Sequence, residues 1–345
     1  MLKVAIVGAT GYTGLELARL LIKHPEIQLV AATTRTYKDL PLSSVFPELT
    51  NETHVVCEEL SIERISEISD LIFTALPHKT AMEVIPEFLE NGKRVVDLSA
   101  DFRFRNVSVY EKWYQRHTAP QIAKKAVYGL PEIYHEKIKR ASLIANPGCY
   151  PTGAILALAP LLKSHMINTK GIVIDAKSGV SGAGRSPQIH TIYCEVNEGL
   201  KAYKVGEHRH TPEIEEHLSV LAEEEIRVAF IPHLVPISRG ILSTIYAPLS
   251  NKVSTEELVD QYKKFYDGKR FIRIYPPGKL PNTLYVRGSN YCDIGLKVDP
   301  RTEGVIVISA IDNLTKGASG QAVQNMNLMY GFEEDAGLGY LPLSP

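Results

Sequence analysis

Two hydrophobic periods run along the chain, and the switch between them predicts the elements. Residues 3–7 form a short continuous apolar run, the pattern of a strand buried on both faces. Leu15, Leu17, Leu20, Leu21 and Ile22 then line a helix that stops near His24-Pro25, and residues 27–33 form a second apolar run. That is a βαβ unit. Further strands are expected at 71–76, 94–98 and 142–145, with a helix over 80–90 closed by Asn91-Gly92. Strands alternating with helices imply a doubly wound parallel sheet.

After Cys149 the pattern changes. Residues 171–176, 227–230, 240–247, 290–298 and 304–310 read as strands, several alternating in polarity, and 317–329 reads as a closing helix. The expected fold is α/β: an N-terminal Rossmann-type doubly wound parallel sheet, then a second α+β domain built on a mixed sheet. The expected boundaries are 1–148 for the cofactor-binding domain and 149–316 for the second domain. Two domains are ordinary for 345 residues.

Charge narrows the partners. With 38 basic and 39 acidic side chains the net charge is −1, so no nucleic acid and no membrane surface is expected as partner. Cys57, Cys149, Cys194 and Cys292 form no CxxC pair, so reduced thiols in a cytoplasmic protein are expected, and no metal. Cys57, Cys194 and Cys292 read as small buried apolar residues. His24, His54, His117, His165 and His217 lie in polar stretches and read as solvated.

Gly8, Gly11 and Gly14 stand between the first strand and helix, in Gly8-Ala-Thr10-Gly11-Tyr12-Thr13-Gly14. Glycines there let the backbone approach a pyrophosphate, which the helix N-terminus favours. The second strand ends in Thr33-Thr34-Arg35 with no acid. Two hydroxyls and a guanidinium suit a 2′-phosphate, so the cofactor expected is NADP(H), held by Gly8, Thr10, Gly11, Tyr12, Thr13, Gly14, Thr34 and Arg35.

Cys149 follows a strand and the turn Asn146-Pro147-Gly148, and a helix is expected to begin at Pro151 or Thr152. A cysteine at a helix N-terminus, at the ligand edge of a parallel sheet, is favoured as thiolate. With a nicotinamide it implies one chemistry: thioester formation, then hydride reduction to an aldehyde.

These segments resemble the N-acetyl-gamma-glutamyl-phosphate reductases, within the aspartate-semialdehyde dehydrogenase superfamily. The resemblance is carried by the glycine loop, Asp97-Leu-Ser-Ala-Asp101-Phe-Arg103, Tyr128-Gly-Leu-Pro-Glu132, Asn146-Pro-Gly-Cys149-Tyr-Pro-Thr152, Ser178-Gly-Val-Ser-Gly-Ala-Gly-Arg185, His208-Arg-His-Thr-Pro-Glu213 and the stretch from Asp312 to Gln321. It implies NADPH-dependent reduction of N-acetylglutamyl 5-phosphate to the 5-semialdehyde with release of inorganic phosphate. It also implies oligomerisation through the second domain, as homodimer or homotetramer, and a C-terminal segment, 317–345, returning to the first domain.

A thioester route needs an acid-base partner. His208 and His210 precede a helix start at which Thr211 is placed to cap; His210 is favoured, with Glu213 a turn away to hold its imidazole. The anionic substrate calls for cations: Arg103 first, then Arg105, Lys204 and Arg209. Ser178, Gly179 and Gly182 can wrap an anion or cover the cofactor's phosphates. The resemblance places the nicotinamide carboxamide near Asn313. Relatives acting on aspartyl phosphate or carrier-linked aminoadipyl phosphate would keep the same cysteine chemistry. A nucleotide-sensing regulator would need the glycine loop but neither Cys149 nor the paired histidines.

Overall fold

The structure is a computed structural model, and it describes residues 1–343. The chain forms two compact units: residues 1–147 with 318–339, and residues 148–317 with 340–343.

The first unit is built on seven strands: β1 (Leu2–Val7), β2 (Ile27–Thr33), β3 (Cys57–Glu58), β4 (Leu71–Thr74), β5 (Arg94–Asp97), β6 (Val127–Tyr128) and β7 (Leu143–Ala145). They lie in the order β3-β2-β1-β4-β5-β7-β6, every pair parallel. The order reverses beside β1, the switch point at which doubly wound sheets bind ligands. The doubly wound parallel sheet read from the apolar runs is present. β3 and β6, of two residues each, are too short to leave a period in the sequence. One face packs Ile72, Ile85, Phe88, Val95 and Tyr110 into a dry core.

The Asp97-to-Asp101 segment is structural glue. Asp97, fully buried at the end of β5, accepts from Thr74 Oγ1 at 2.6 Å, Ser99 Oγ at 2.7 Å and Ser99 N at 3.0 Å. Asp101 accepts from the amides of Lys79 and Met82 and from the Tyr110 hydroxyl. These bonds stitch the ends of β4 and β5 to the start of the helix Ala81–Glu90.

The closing helix begins later than its apolar spacing implied. A π-helix covers Thr315–Ser319 and the α-helix runs Gly320–Tyr330. That α-helix is buried along nearly its whole length, although it carries Gln321, Gln324, Asn325 and Asn327. Its amides are spent on this unit: Asn325 Nδ2 donates to Gly129 O and Asn146 Oδ1, and Asn327 Oδ1 bonds His24 Nε2 at 2.9 Å. Buried polar groups that find partners in this way cost little.

Three histidines read as solvated are buried. His24 and His117 use both ring nitrogens: His24 Nδ1 accepts from Glu26 N, and His117 lies between Asp101 O and Ala119 N. His217 is 1% exposed. Local polarity misled because all three serve the fold. Cys194 errs the other way: it is exposed, on the short helix Tyr193–Val196.

The second unit holds β8 (Ile172–Ser178), β9 (Lys201–Ala202), β10 (Val228–Leu234), β11 (Ile241–Pro248), β12 (Ile272–Ile274), β13 (Cys292–Asp299) and β14 (Gly304–Ile311). The order is β12-β13-β14-β11-β8-β10-β9. β8–β10 and β12–β13 are parallel and the other pairs antiparallel, so the sheet is mixed as expected. β8 alternates strictly between buried and half-buried positions, so one face is covered. The helix Cys149–Lys163 packs on β11 and β14 and is buried from Tyr150 to Leu162. Tyr262 and Tyr266 anchor it by donating their hydroxyls to the carbonyls of Ala157 and Leu156.

Candidate active site

In the first unit the glycine loop joins β1 to the helix Tyr12–Ile22. Gly8 has φ +92°, and a Cβ there would lie 2.6 Å from Ala75 O; a Cβ on Gly14 would overlap the Ala9 carbonyl. Those two glycines are demanded by the fold. Gly11, the N-cap, is different: a Cβ there would meet nothing within 4 Å. Open space over a helix N-terminus is what a pyrophosphate needs. The residues present therefore fit a dinucleotide. Thr10 Oγ1 and Thr34 Oγ1 lie 3.2 Å apart, and Thr34 Oγ1 also accepts from the amides of Thr36 and Tyr37. Thr34 thus shapes the turn that carries Arg35, which is exposed, as is Tyr12; Thr13 is half-buried.

Arg103 is 6% exposed and donates through Nε to Asn146 O at 2.8 Å and through Nη2 to Leu98 O at 2.8 Å. Arg105 is exposed.

In the second unit Cys149 opens the helix Cys149–Lys163, two residues earlier than the sequence implied, with Gly148 as N-cap. Its thiol is partly exposed. Glu213 has no exposed surface and accepts from Gly148 N at 2.8 Å. The carboxylate thus holds the turn that presents Cys149. Glu213 sits in the first turn of the helix Thr211–Ala222, whose N-cap is His210; the Thr211 expected to cap is the first helical residue instead.

His208 and His210 are together, ring centroids 4.9 Å apart. Tyr150, the residue after Cys149, meets both edge-on, at 5.5 and 5.9 Å, and Phe230 closes the cluster. A hydroxyl chain runs through it. His208 Nε2 lies 3.4 Å from Tyr203 Oη, which lies 3.1 Å from Tyr150 Oη. His208 Nδ1 accepts the amide of His210 at 3.1 Å. The His208 proton is thereby assigned to Nε2. Burial, then the charges of Lys204 and Arg209, pull the His208 pKa down to about 4. Burial pushes both tyrosines far above their ordinary value, and the charge of Cys149 adds to this, as expected of groups beside it. Tyr150 and Tyr203 were not read from the sequence as site residues. Tyr150 had a signal, being next to Cys149 on the same helix; Tyr203 had none.

Lys204 and Arg209 are both exposed beside this cluster, and Lys204 is held at φ +46°. Ser178 and Gly179 are buried at the end of β8 and Gly182 is exposed. Asn313 is 2% exposed: Oδ1 accepts from Gly240 N at 2.8 Å and Nδ2 donates to Ser181 Oγ at 2.9 Å. It ties the 178–185 loop to the loop after β14. The second unit therefore gathers Cys149, His208, His210, Glu213, Lys204 and Arg209, while the glycine loop, Thr34, Arg35, Arg103 and Arg105 belong to the first.

A cofactor loop in one unit and a cysteine-histidine cluster in the other define an oxidoreductase of two-domain design. Residues 3–141 match the family described as semialdehyde dehydrogenase, NAD binding domain, and residues 149–313 match the semialdehyde dehydrogenase, dimerisation domain. The chain belongs to the semialdehyde dehydrogenase family. Within it, the chain groups with the N-acetyl-gamma-glutamyl-phosphate reductases. It is 59% identical to the protein of that name from Geobacter metallireducens and 54% identical to that from Desulfotalea psychrophila, in each case over 100% of both chains. Among solved structures the fold is similar to aspartate semialdehyde dehydrogenase II from Vibrio cholerae (TM-score 0.73, 18% identity, covering 95% of this chain and 98% of that one). It is also similar to the aspartate semialdehyde dehydrogenase with NADP from Candida albicans (TM-score 0.70, 18% identity, 96% and 98%).

Proposed function

We propose that the protein reduces N-acetyl-L-glutamyl 5-phosphate with NADPH to N-acetyl-L-glutamate 5-semialdehyde and phosphate, a step of arginine biosynthesis in the cytoplasm. Full-length identity to reductases of that name supports the substrate. The observation that carries the mechanism is Cys149 at the first position of a buried helix, on a turn held by the Glu213 carboxylate beside two histidines.

In this reading Cys149 gives its thiol proton to His210 and attacks the acyl carbon. The bond from that carbon to the phosphate oxygen breaks, and phosphate leaves with the electron pair. The amides at positions 149 and 150 are the oxyanion donors; Pro151 has none to give, and the amide of Gly148 is committed to Glu213. NADPH, when bound, supplies the hydride that reduces the thioester. Collapse of the hemithioacetal oxyanion frees the aldehyde and the Cys149 sulfur, which recovers its proton from His210. His210 is preferred over His208 because burial keeps His208 neutral, its one proton turned to Tyr203. Glu213 acts on the turn, and Lys204 and Arg209 are the cations for the anionic substrate.

Arg103 braces the carbonyls of Leu98 and Asn146, with Arg105 the more exposed second cation. Gly8, Gly11 and Gly14 with Thr10, Tyr12, Thr13, Thr34 and Arg35 hold NADP(H), and Ser178, Gly179, Gly182 and Asn313 shape a second loop for it. Assembly as homodimer or homotetramer is supported by the match to a dimerisation domain.

Intact-mass measurement tests the covalent step. Incubation with the acyl phosphate and no NADPH is expected to add the acetylglutamyl group to Cys149, with no adduct on Cys149→Ser. A Cys149→Ser variant that reduces substrate at an undiminished rate overturns the thioester route.

A further inference from the structure

The loop that follows β14 ends against the proposed nucleophile. Gly317 N donates to Asp312 O at 2.9 Å, a span of five residues that makes the turn a π-helix. π-turns inside helices often mark functional positions. A Cβ placed on Gly317 would lie 2.8 Å from Cys149 Cβ and 3.2 Å from Cys149 Cα. Both are atoms at or next to the backbone, which cannot swing aside as a side-chain tip can.

The turn itself is rigidly held. Asp312 is fully buried, and its carboxylate accepts from Leu314 N at 2.8 Å, Thr315 N at 3.0 Å and Gly288 N at 2.7 Å. Asn313 ties the same loop to Gly240 and Ser181. Lys316, with no exposed surface, lies over the Phe271 ring at 5.8 Å. Here the buried carboxylate, the amide and the lysine all fix the turn in place, and the glycine is the point at which it touches Cys149.

We propose that Gly317 is a positioning residue for Cys149: the π-turn is a fixed wall whose missing side chain sets where the nucleophilic sulfur stands. This rests on Cys149 being the nucleophile. No natural side chain fits at 317 without moving the first turn of the Cys149 helix, and with it the sulfur. The loss belongs to the chemical step, since the atom displaced is the attacking sulfur; the bond from this turn to the glycine loop is made by Ser319, two residues beyond Gly317, which donates to Thr13 O at 2.9 Å.

The test uses the full chain carrying Cys194→Ser, which removes the exposed competing thiol, and compares Gly317→Ala with its parent. Iodoacetamide alkylation of Cys149 is followed against pH, together with kcat and KM. Expected are a shifted rate or midpoint of alkylation, kcat lowered about tenfold or more, and an unchanged KM for the cofactor. Gly199→Ala, where a Cβ would meet nothing closer than 3.6 Å, is expected to match the parent. If Gly317→Ala does not fold, Asp312→Asn, which loosens the same turn, takes its place, read by alkylation and kcat alone. A folded variant with parental alkylation and kcat overturns the proposal. If Cys149→Ser keeps its activity, the proposed function fails instead, so the two failures are separable.

Discussion

At the scale of single residues, the two histidines differ in environment, and the proposed division of work follows from that difference. His208 is half-buried and neutral, with its proton on Nε2, while His210 stands at the N-cap position of the following helix. General acid-base groups contribute on the order of 10²–10⁴-fold. His210→Asn is therefore expected to lower kcat about 10²-fold or more, and His208→Asn distinctly less; steady-state kinetics with the order reversed would exchange their roles. Arg35 is argued in the same way. It is the exposed cation after β2, where no acid stands. Arg35→Ala is expected to raise KM for NADPH about tenfold while leaving KM for NADH nearly unchanged. An equal loss with both cofactors would remove Arg35 from the 2′-phosphate.

Residue chemistry was also where the sequence was most and least legible. The glycine loop, Cys149 and the His-Arg-His segment are local patterns, and a local pattern survives in one dimension. Glu213 was singled out, but for an imidazole; its acceptance of the Gly148 amide joins positions 65 apart in sequence, a contact that no spacing announces. Tyr203, Gly317 and the burial of His24 and His117 share that origin, since Tyr203 meets Tyr150, Gly317 meets Cys149, His24 meets Asn327 and His117 meets Asp101.

At the scale of elements, the helix that Cys149 opens is held at both ends of its first half. Tyr262 and Tyr266 tie its middle, and Glu213 ties its start. A hydrogen bond from a backbone amide to a buried carboxylate contributes about 1.5–3 kcal/mol. Glu213→Ala leaves Gly148 N buried without this acceptor, whereas Glu213→Gln keeps a neutral one. Urea unfolding is expected to rank the wild type above Gln and Gln above Ala, with alkylation of Cys149 slowed in the same order. Equal stability of all three would contradict the tether. The longer strands were read in place, β10 only in its first half, and β7 was found despite its three residues because all of them are apolar; β3, β6, β9 and β12, of two or three residues with polar members, went unseen. The closing helix was displaced because the π-turn from Thr315 to Ser319 uses the same small residues that a helix start would use.

At the scale of the whole molecule, the two units carry opposite pH dependences. Asp97, in the first, has its pKa raised to about 6 by burial and then by the charge of Asp101. The folded form holds its proton where the unfolded form has released it, so this contribution is present at low pH and is lost as pH rises from about 4 to about 6. His208, in the second, has its pKa lowered to about 4. There the unfolded form takes the proton first, so stability is lost as pH falls from about 6.5 to about 4. Each amounts to roughly 3 kcal/mol at most. Hydrogen exchange between pH 4 and 6.5 is expected to show the Asp97 sheet loosening relative to the His208 region as pH rises; parallel trends in both would contradict the assignment. Net charge, at −1, adds no global field to either.

The central claim is the reaction itself, and the reverse direction tests it most directly. The purified protein is mixed with N-acetylglutamate 5-semialdehyde, NADP and inorganic phosphate, with aspartate semialdehyde in parallel, and the absorbance of reduced cofactor is followed. Phosphate-dependent NADPH formation with the acetylated substrate, absent with aspartate semialdehyde, is the predicted result. Turnover of aspartate semialdehyde in its place, or NADPH formation that ignores phosphate, would contradict the account.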